Sequence, residues 1–187
     1  RALPNSIGTL KHLRDLDLAK CEGIHELPRS FYKLRSLQSL NLGGTGLKQL
    51  PDSVQRELEC LPEGMQYLKS LRTLVLFGCA KLVFLPRSLK FLSKLENLKI
   101  TSCRRINLEM EPEEKEDDLQ LSLKTFSLFR LDALTDLPRL LLQGSSSTLQ
   151  QIEITWCQQL SVLPAWLLNL TSLQELRIGG CKNLSAL

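Results

Sequence analysis

The 187-residue sequence predicts an α/β solenoid: a parallel concave β-sheet of about seven short strands, closed on its convex side by short helical or 3-10 turns and loops. Three observations predict it. The pattern LxxLxL, exemplified by Leu71, Leu74 and Leu76, recurs seven times. A Leu-Pro pair recurs between copies and holds seven of the eight prolines. Three residues after the last strand leucine stands a small slot, filled by Cys21, Cys79, Cys103, Cys157 and Cys181, and by Thr45 and Leu131 in the other two copies.

The strands come first. The seven copies are Leu13/Leu16/Leu18, Leu37/Leu40/Leu42, Leu71/Leu74/Leu76, Leu95/Leu98/Ile100, Leu123/Phe126/Leu128, Leu149/Ile152/Ile154 and Leu173/Leu176/Ile178, most often 24 residues apart. Alternate side chains of an extended strand share a face, so Leu74 and Leu76 point one way while Thr73, Val75 and Phe77 point the other. Each Leu-Pro then opens the convex arc, because proline presets φ for a turn. A serine often follows two residues later (Ser6, Ser30, Ser53, Ser88), where its hydroxyl is expected to take an orphan N–H. Leu85, Leu89, Leu92 and Leu95 recur at the spacing of a short helical or 3-10 segment packed inward. Strands at this spacing, one per coil, are the signature of a leucine-rich-repeat horseshoe.

One domain is expected over 1–187, with two interruptions. Only 11 residues separate Leu50-Pro51 from Leu61-Pro62, so residues 51–62 read as an irregular stub without a concave strand, leaving Cys60 off the ladder. Residues 109–118 carry seven acids and one lysine, and repulsion among them predicts a solvated insertion. Gly144 to Thr148 reads as a flexible segment; neither it nor Gly43-Gly44-Thr45-Gly46 has the GKS/T of a phosphate loop. The chain enters partway through a repeat at Arg1 and stops where a proline is due after Leu187, so both ends are expected to be cut from a longer array.

Composition narrows the chemistry. The net charge is +4, of which the acidic run contributes −6, leaving +10 on the rest. That surplus is scattered with few aromatics between, which argues against nucleic acid. No run of about 18 apolar residues is present to span a membrane. Because threonine and leucine serve the cysteine slot equally well, bridging is not its requirement, and a reduced ladder of packed thiols is expected. His12 and His25 lie in unrelated repeats, so no metal-ligand or Cys/His catalytic spacing emerges and no enzyme is expected.

The repeat LPxxLxxLxxLxxLxLxxCxxLxx is almost unbroken from Leu163 to Cys181. It resembles the C-terminal repeats of plant intracellular nucleotide-binding leucine-rich-repeat disease-resistance proteins. Extracellular plant receptors carry LxGxIP instead, which is missing. The resemblance implies a cytoplasmic or nucleocytoplasmic immune receptor whose repeats read a pathogen effector or an altered host protein. It also implies an intramolecular contact that restrains the parent's nucleotide-binding region; ADP or ATP would belong to that region, with no cofactor in this segment. Alternatives are a generic cytosolic repeat scaffold or the substrate-selecting part of a larger enzyme such as a ubiquitin ligase. Asn169-Leu170-Thr171 and Asn183-Leu184-Ser185 are glycosylation sequons, and glycan on them would point to an extracellular receptor.

The expected working surface is the concave sheet, where strands about 4.8 Å apart align equivalent positions into columns about 30 Å long. One column reads Asp17, Asn41, Val75, Lys99, Ser127, Glu153, Arg177. The next reads Ala19, Gly43, Phe77, Thr101, Phe129, Thr155, Gly179, with Arg130 and Trp156 just beyond. Aromatic anchors among charged neighbours have the composition of binding hot spots. The candidate protein-binding residues are therefore Arg72, Thr73, Val75, Phe77, Lys99, Thr101, Phe129, Arg130, Glu153, Trp156 and Arg177. The plainer reading is that the aromatics merely pack against neighbouring concave side chains.

Overall fold

A computed structural model describes residues 3–47, 64–85, 87–108 and 121–185. Seven strands run in chain order through one sheet: β1 (Asp15–Asp17), β2 (Ser39–Asn41), β3 (Thr73–Phe77), β4 (Asn97–Thr101), β5 (Thr125–Phe129), β6 (Gln151–Thr155) and β7 (Glu175–Gly179). Every neighbouring pair is parallel, and the leucine slots align, with Leu16 beside Leu40, then Leu74, Leu98, Phe126, Ile152 and Leu176. The solenoid expected from the repeats is the fold observed. The stub 51–62 and the acidic insertion 109–118 lie outside the described residues, but β2 and β3 pair directly across the stub's place in the chain.

Parallel strands require a crossover behind the sheet. Here it is short: 3-10 turns at Asn5–Thr9, Arg29–Lys33, Met65–Tyr67, Arg87–Phe91 and Ala165–Asn169, and one α-helix, α1 (Arg139–Gln143). Proline starts three of the 3-10 turns and α1 as expected, while Gly64 precedes Met65–Tyr67. Pro4, Pro28 and Pro164 sit at φ of −66°, −67° and −69°, and their carbonyls accept the N–H of Ile7, Phe31 and Leu167. The serines do not take the role expected of them. No side chain caps these turns, and the hydroxyls of Ser30 and Ser88 are buried without a partner. Pro4 and Pro28 hold the N-cap, so Ser6 and Ser30 stand one residue inside the turn's start rather than at the capping position. Ser53 lies outside the described residues.

Coil is joined to coil by a recurring bifurcated bond. Each residue preceding a strand offers its carbonyl to two N–H groups of the next coil: Arg14 to Gln38 and Ser39, Gln38 to Arg72 and Thr73, Arg72 to Glu96 and Asn97, and onward to Gln150 with Gln174 and Glu175. Between sheet and turns lies a single leucine-rich core in which Leu40, Leu74, Leu76, Ile100, Phe126 and Ile154 are fully buried. Burial fades at the last coil, where Leu176 is 42% exposed, because one flank of that coil has no neighbour among the described residues.

The cysteine slot is buried at Cys79, Cys103 and Cys157, and all described thiols are free. Cys21 departs from that expectation, being exposed. The reason is directional. Cys79 Sγ donates to the carbonyl of Leu42 (3.2 Å) and Cys181 Sγ to that of Ile154 (3.9 Å), so each thiol leans on the preceding coil, and Cys21 has no such coil among the described residues. Cys60 lies outside the described residues.

Gly144 to Thr148 is not a loose segment. Ser145 Oγ donates to the Leu141 carbonyl (2.9 Å) and accepts the N–H of Leu123 (3.4 Å), while Thr148 Oγ1 donates to the Leu123 carbonyl (2.9 Å). A run that reads as polar and flexible is consumed in stitching α1 to the coil before it, and Ser145 is wholly buried.

Candidate functional site

The inner face carries the columns expected of it. The strand register sets Asp17, Asn41, Val75, Lys99, Ser127, Glu153 and Arg177 in one line, and Phe77, Thr101, Phe129, Thr155 and Gly179 in the next. A third line, Asp15, Ser39, Thr73, Asn97, Thr125, Gln151 and Glu175, runs along the strand starts.

That third line is a hydrogen-bonded ladder at its centre. Asn97 Nδ2 donates to Thr73 Oγ1 (3.2 Å), and Asn97 Oδ1 accepts from Thr125 Oγ1 (2.7 Å). Beside it Glu96 pairs with Arg72 and with Lys124 (3.4 Å), so Arg72 is tied down rather than free. Arg177 pairs within its own strand to Glu175 (2.6 Å), and Glu153 accepts from Ser127 Oγ (3.1 Å). Lys99 stands exposed between β3 and β5. Thr73, Val75, Lys99 and Glu153 line one hollow of about 250 Å³, together with Asn97, Thr125, Ser127 and Gln151. Asn97, Thr125 and Gln151 were not among the residues expected there, although counting from Thr73 in register finds them.

Phe129, Arg130 and Trp156 gather elsewhere, at the rim where strands end. They line a groove of about 480 Å³ with Asp132 and Gln158. The aromatics are exposed, Phe77 at 50%, Phe129 at 39% and Trp156 at 52%. Asp132 and Gln158 lie beyond the strand pattern, each two residues past its coil's corner, in matching positions. Phe77, Arg72, Thr101 and Arg177 line neither hollow, so the expected single patch is two hollows with outlying members.

A shared backbone corner makes the rim. The residue before each cysteine slot has positive φ in all seven coils: Lys20 (63°), Gly44 (68°), Gly78 (62°), Ser102 (53°), Arg130 (52°), Trp156 (58°) and Gly180 (66°). Glycine accepts that conformation freely, whereas a bulky side chain there is an outlier. The corner bends the chain while its N–H still reaches the next strand, as Arg130 to Thr155 (2.9 Å) and Trp156 to Gly179 (2.8 Å) show. Glycines also make room for the aromatics. A Cβ on Gly43 would stand 3.0 Å from Phe77 Cβ, and one on Gly180 only 2.8 Å from Trp156 Cδ2. The exposed rings thus lie against glycine floors of adjoining coils.

The thiols behind the rim are electrostatically distinct. A hydrogen bond from Cys103 is the main cause holding the Cys79 thiol down to about 7. The same contact, reinforced by burial, raises that of Cys103. Burial pushes Cys157 up to about 11. All three are shut away from solvent, and no cluster of three or more His, Cys, Asp or Glu residues suited to a metal exists among the described residues. His25 Nδ1 lies 3.2 Å from the Gly46 carbonyl, a local contact between the first two coils.

A family described as a leucine-rich repeat region matches residues 3–185. Among curated relatives, the Arabidopsis thaliana protein SUPPRESSOR OF npr1-1, CONSTITUTIVE 1 is 29% identical across 97% of this chain, and the disease resistance protein RPS4B of the same plant is 29% identical across 94%. The chain spans 14% of the length of each. The TMV resistance protein N of Nicotiana glutinosa is 28% identical across 56% of the chain and 8% of its own length. Among solved structures, the leucine-rich repeat domain of the type III effector XopL superposes with a TM-score of 0.71 at 26% identity, covering 96% of this chain and 57% of that one. The ectodomain of the Arabidopsis receptor kinase HAESA, solved with a peptide hormone, gives 0.56 at 22% identity, over 100% of this chain and 31% of that one, and supports the fold alone. The resemblance to the repeats of plant disease-resistance proteins therefore holds, and the fold is that of a protein-interaction scaffold. No helix among the described residues is long and apolar enough to cross a membrane.

Proposed function

From the premise that this chain belongs to the leucine-rich-repeat family, we propose that it is the recognition module of a plant innate-immune receptor. Its inner face and rim read a pathogen effector or a modified host protein, and in the absence of that ligand the repeats help hold the parent receptor inactive. The module works without catalysis and without a cofactor of its own, in the cytoplasm, where its unpaired thiols stay reduced. A nucleotide, ADP or ATP, belongs to another region of the parent. The whole of 1–187 acts as a single unit, since each coil covers its neighbour's core.

One observation carries this reading: three large aromatic side chains, Phe77, Phe129 and Trp156, are held exposed along the strand ends in a chain with few aromatics. Aromatic side chains with cations close by dominate protein interfaces. The experiment is a Phe77→Ala/Trp156→Ala double substitution in the full-length parent. The expected result is an unchanged circular-dichroism spectrum with loss of the association that the wild type makes with its effector or host target. Undiminished association would overturn the reading.

A further inference from the structure

Seven coils turn the same left-handed corner, so the corners can be compared residue by residue. Gly44, Gly78 and Gly180 turn it without strain. Arg130 and Trp156, adjacent in the stack, turn it with two of the largest side chains available. Side chains in that region are strained, persist only where the surrounding structure holds them, and cluster at functional sites. Gly180, at a corner of its own, also leaves room for the Trp156 indole, which any Cβ there would strike. Gln158 fixes the arrangement: its Nε2 donates to the Gly180 carbonyl (2.8 Å) and its Oε1 accepts the N–H of Lys182 (3.3 Å).

Arg130 lines the groove and stands exposed, and the acid lining it, Asp132, already faces Arg104 at 3.7 Å. An arginine fork beside two aromatic faces suits a carboxylate next to an apolar group.

We propose that the groove walled by Phe129, Arg130 and Trp156 binds an extended protein segment in which an Asp or Glu side chain neighbours an aromatic or large aliphatic one. The carboxylate takes the Arg130 guanidinium, and the apolar side chain lies on the Trp156 indole over the Gly180 floor. This rests on the recognition-module reading and adds the place and the chemistry of the ligand.

The chain holds two tryptophans, so Trp166→Phe leaves Trp156 as the sole reporter. Three probes are titrated against its emission: a blocked octapeptide centred on Asp-Phe-Glu, the same peptide with lysines for the acids, and a single-stranded octanucleotide. The acidic peptide is expected to shift the emission saturably, more weakly as salt rises from about 0.05 to about 0.5 M. Arg130→Gly is the diagnostic variant, because glycine keeps the corner at φ 52° without strain. It should weaken binding about tenfold or more, with Arg130→Lys in between. Equal binding of the lysine peptide, saturable binding of the oligonucleotide alone, no saturable binding, or indifference to Arg130→Gly would each overturn the proposal. If the parent's partner is lost on Phe77→Ala or Lys99→Ala but not on Arg130→Gly, this inference falls while the recognition reading stands.

Discussion

Gly78 and Trp156 occupy the same position of their coils, at φ of 62° and 58°, each followed by a buried cysteine. Nothing approaches a Cβ added at Gly78 closer than 4.0 Å, so that corner is open. At Trp156 the corner is filled by an indole that requires a glycine on the next coil. Backbone geometry is therefore a constant of the repeat, and what varies is the side chain asked to tolerate it. Where the tolerance is greatest, at Arg130 and Trp156, lies the larger of the two hollows described.

The largest expected effect lies beneath both corners. Leu74 is fully buried in the core they share, and Leu74→Ala should cost about 2–5 kcal/mol through the cavity it leaves. Urea unfolding would measure it; a loss under about 1 kcal/mol would mean the coils do not depend on a common core. The corners themselves come next. Gly44→Ala adds a Cβ 3.2 Å from Lys20 Cα and N at φ 68°, and should cost about 2 kcal/mol. Gly78→Ala, with only the torsion to bear, should cost about 1 kcal/mol. If both changes are neutral by the same measurement, the contrast between glycine and side-chain corners has no energetic content.

The smallest effect at neutral pH lies in the buried thiols. The Cys157 thiol is pushed from 9.0 to about 11, so the folded state keeps a proton that the unfolded state releases. Its contribution is whole below pH 9.0 and is lost as pH rises toward 11. Cys103, raised by its contact with Cys79 and by burial, acts in the same sense. Melting temperatures between about pH 8 and about pH 11 should fall less steeply for Cys157→Ala than for the wild type; identical slopes would show that this thiol is not held protonated.

Much of this was legible in the sequence, because a strand's period of two turns a list of residues into a face. Val75, Lys99, Glu153 and Arg177 fall into their column by counting alone, and Leu74 and Leu76 into the core. The corner was not legible. Glycine at 44, 78 and 180 hints at positive φ, but lysine, serine, arginine and tryptophan in the same slot disguise it. The partners of charged residues were also hidden. Arg72 reads as an exposed cation, yet Glu96 on the next coil claims it. Polar runs mislead in both directions: Ser145 and Thr148 look like slack and prove to be stitches, whereas Ser30 and Ser88 look like caps and make no bond.

Between successive strands the chain takes 24 residues in one place and 34 in another, yet Leu40 still faces Leu74 as squarely as Leu74 faces Leu98. A difference of ten residues between strands thus leaves the lattice of positions on the sheet undisturbed. A lineage can lengthen the chain between two strands, and exchange one strand residue for another, as two unconnected changes. For a surface that must keep pace with an altering target, that independence lets new chemistry be tried at a fixed address.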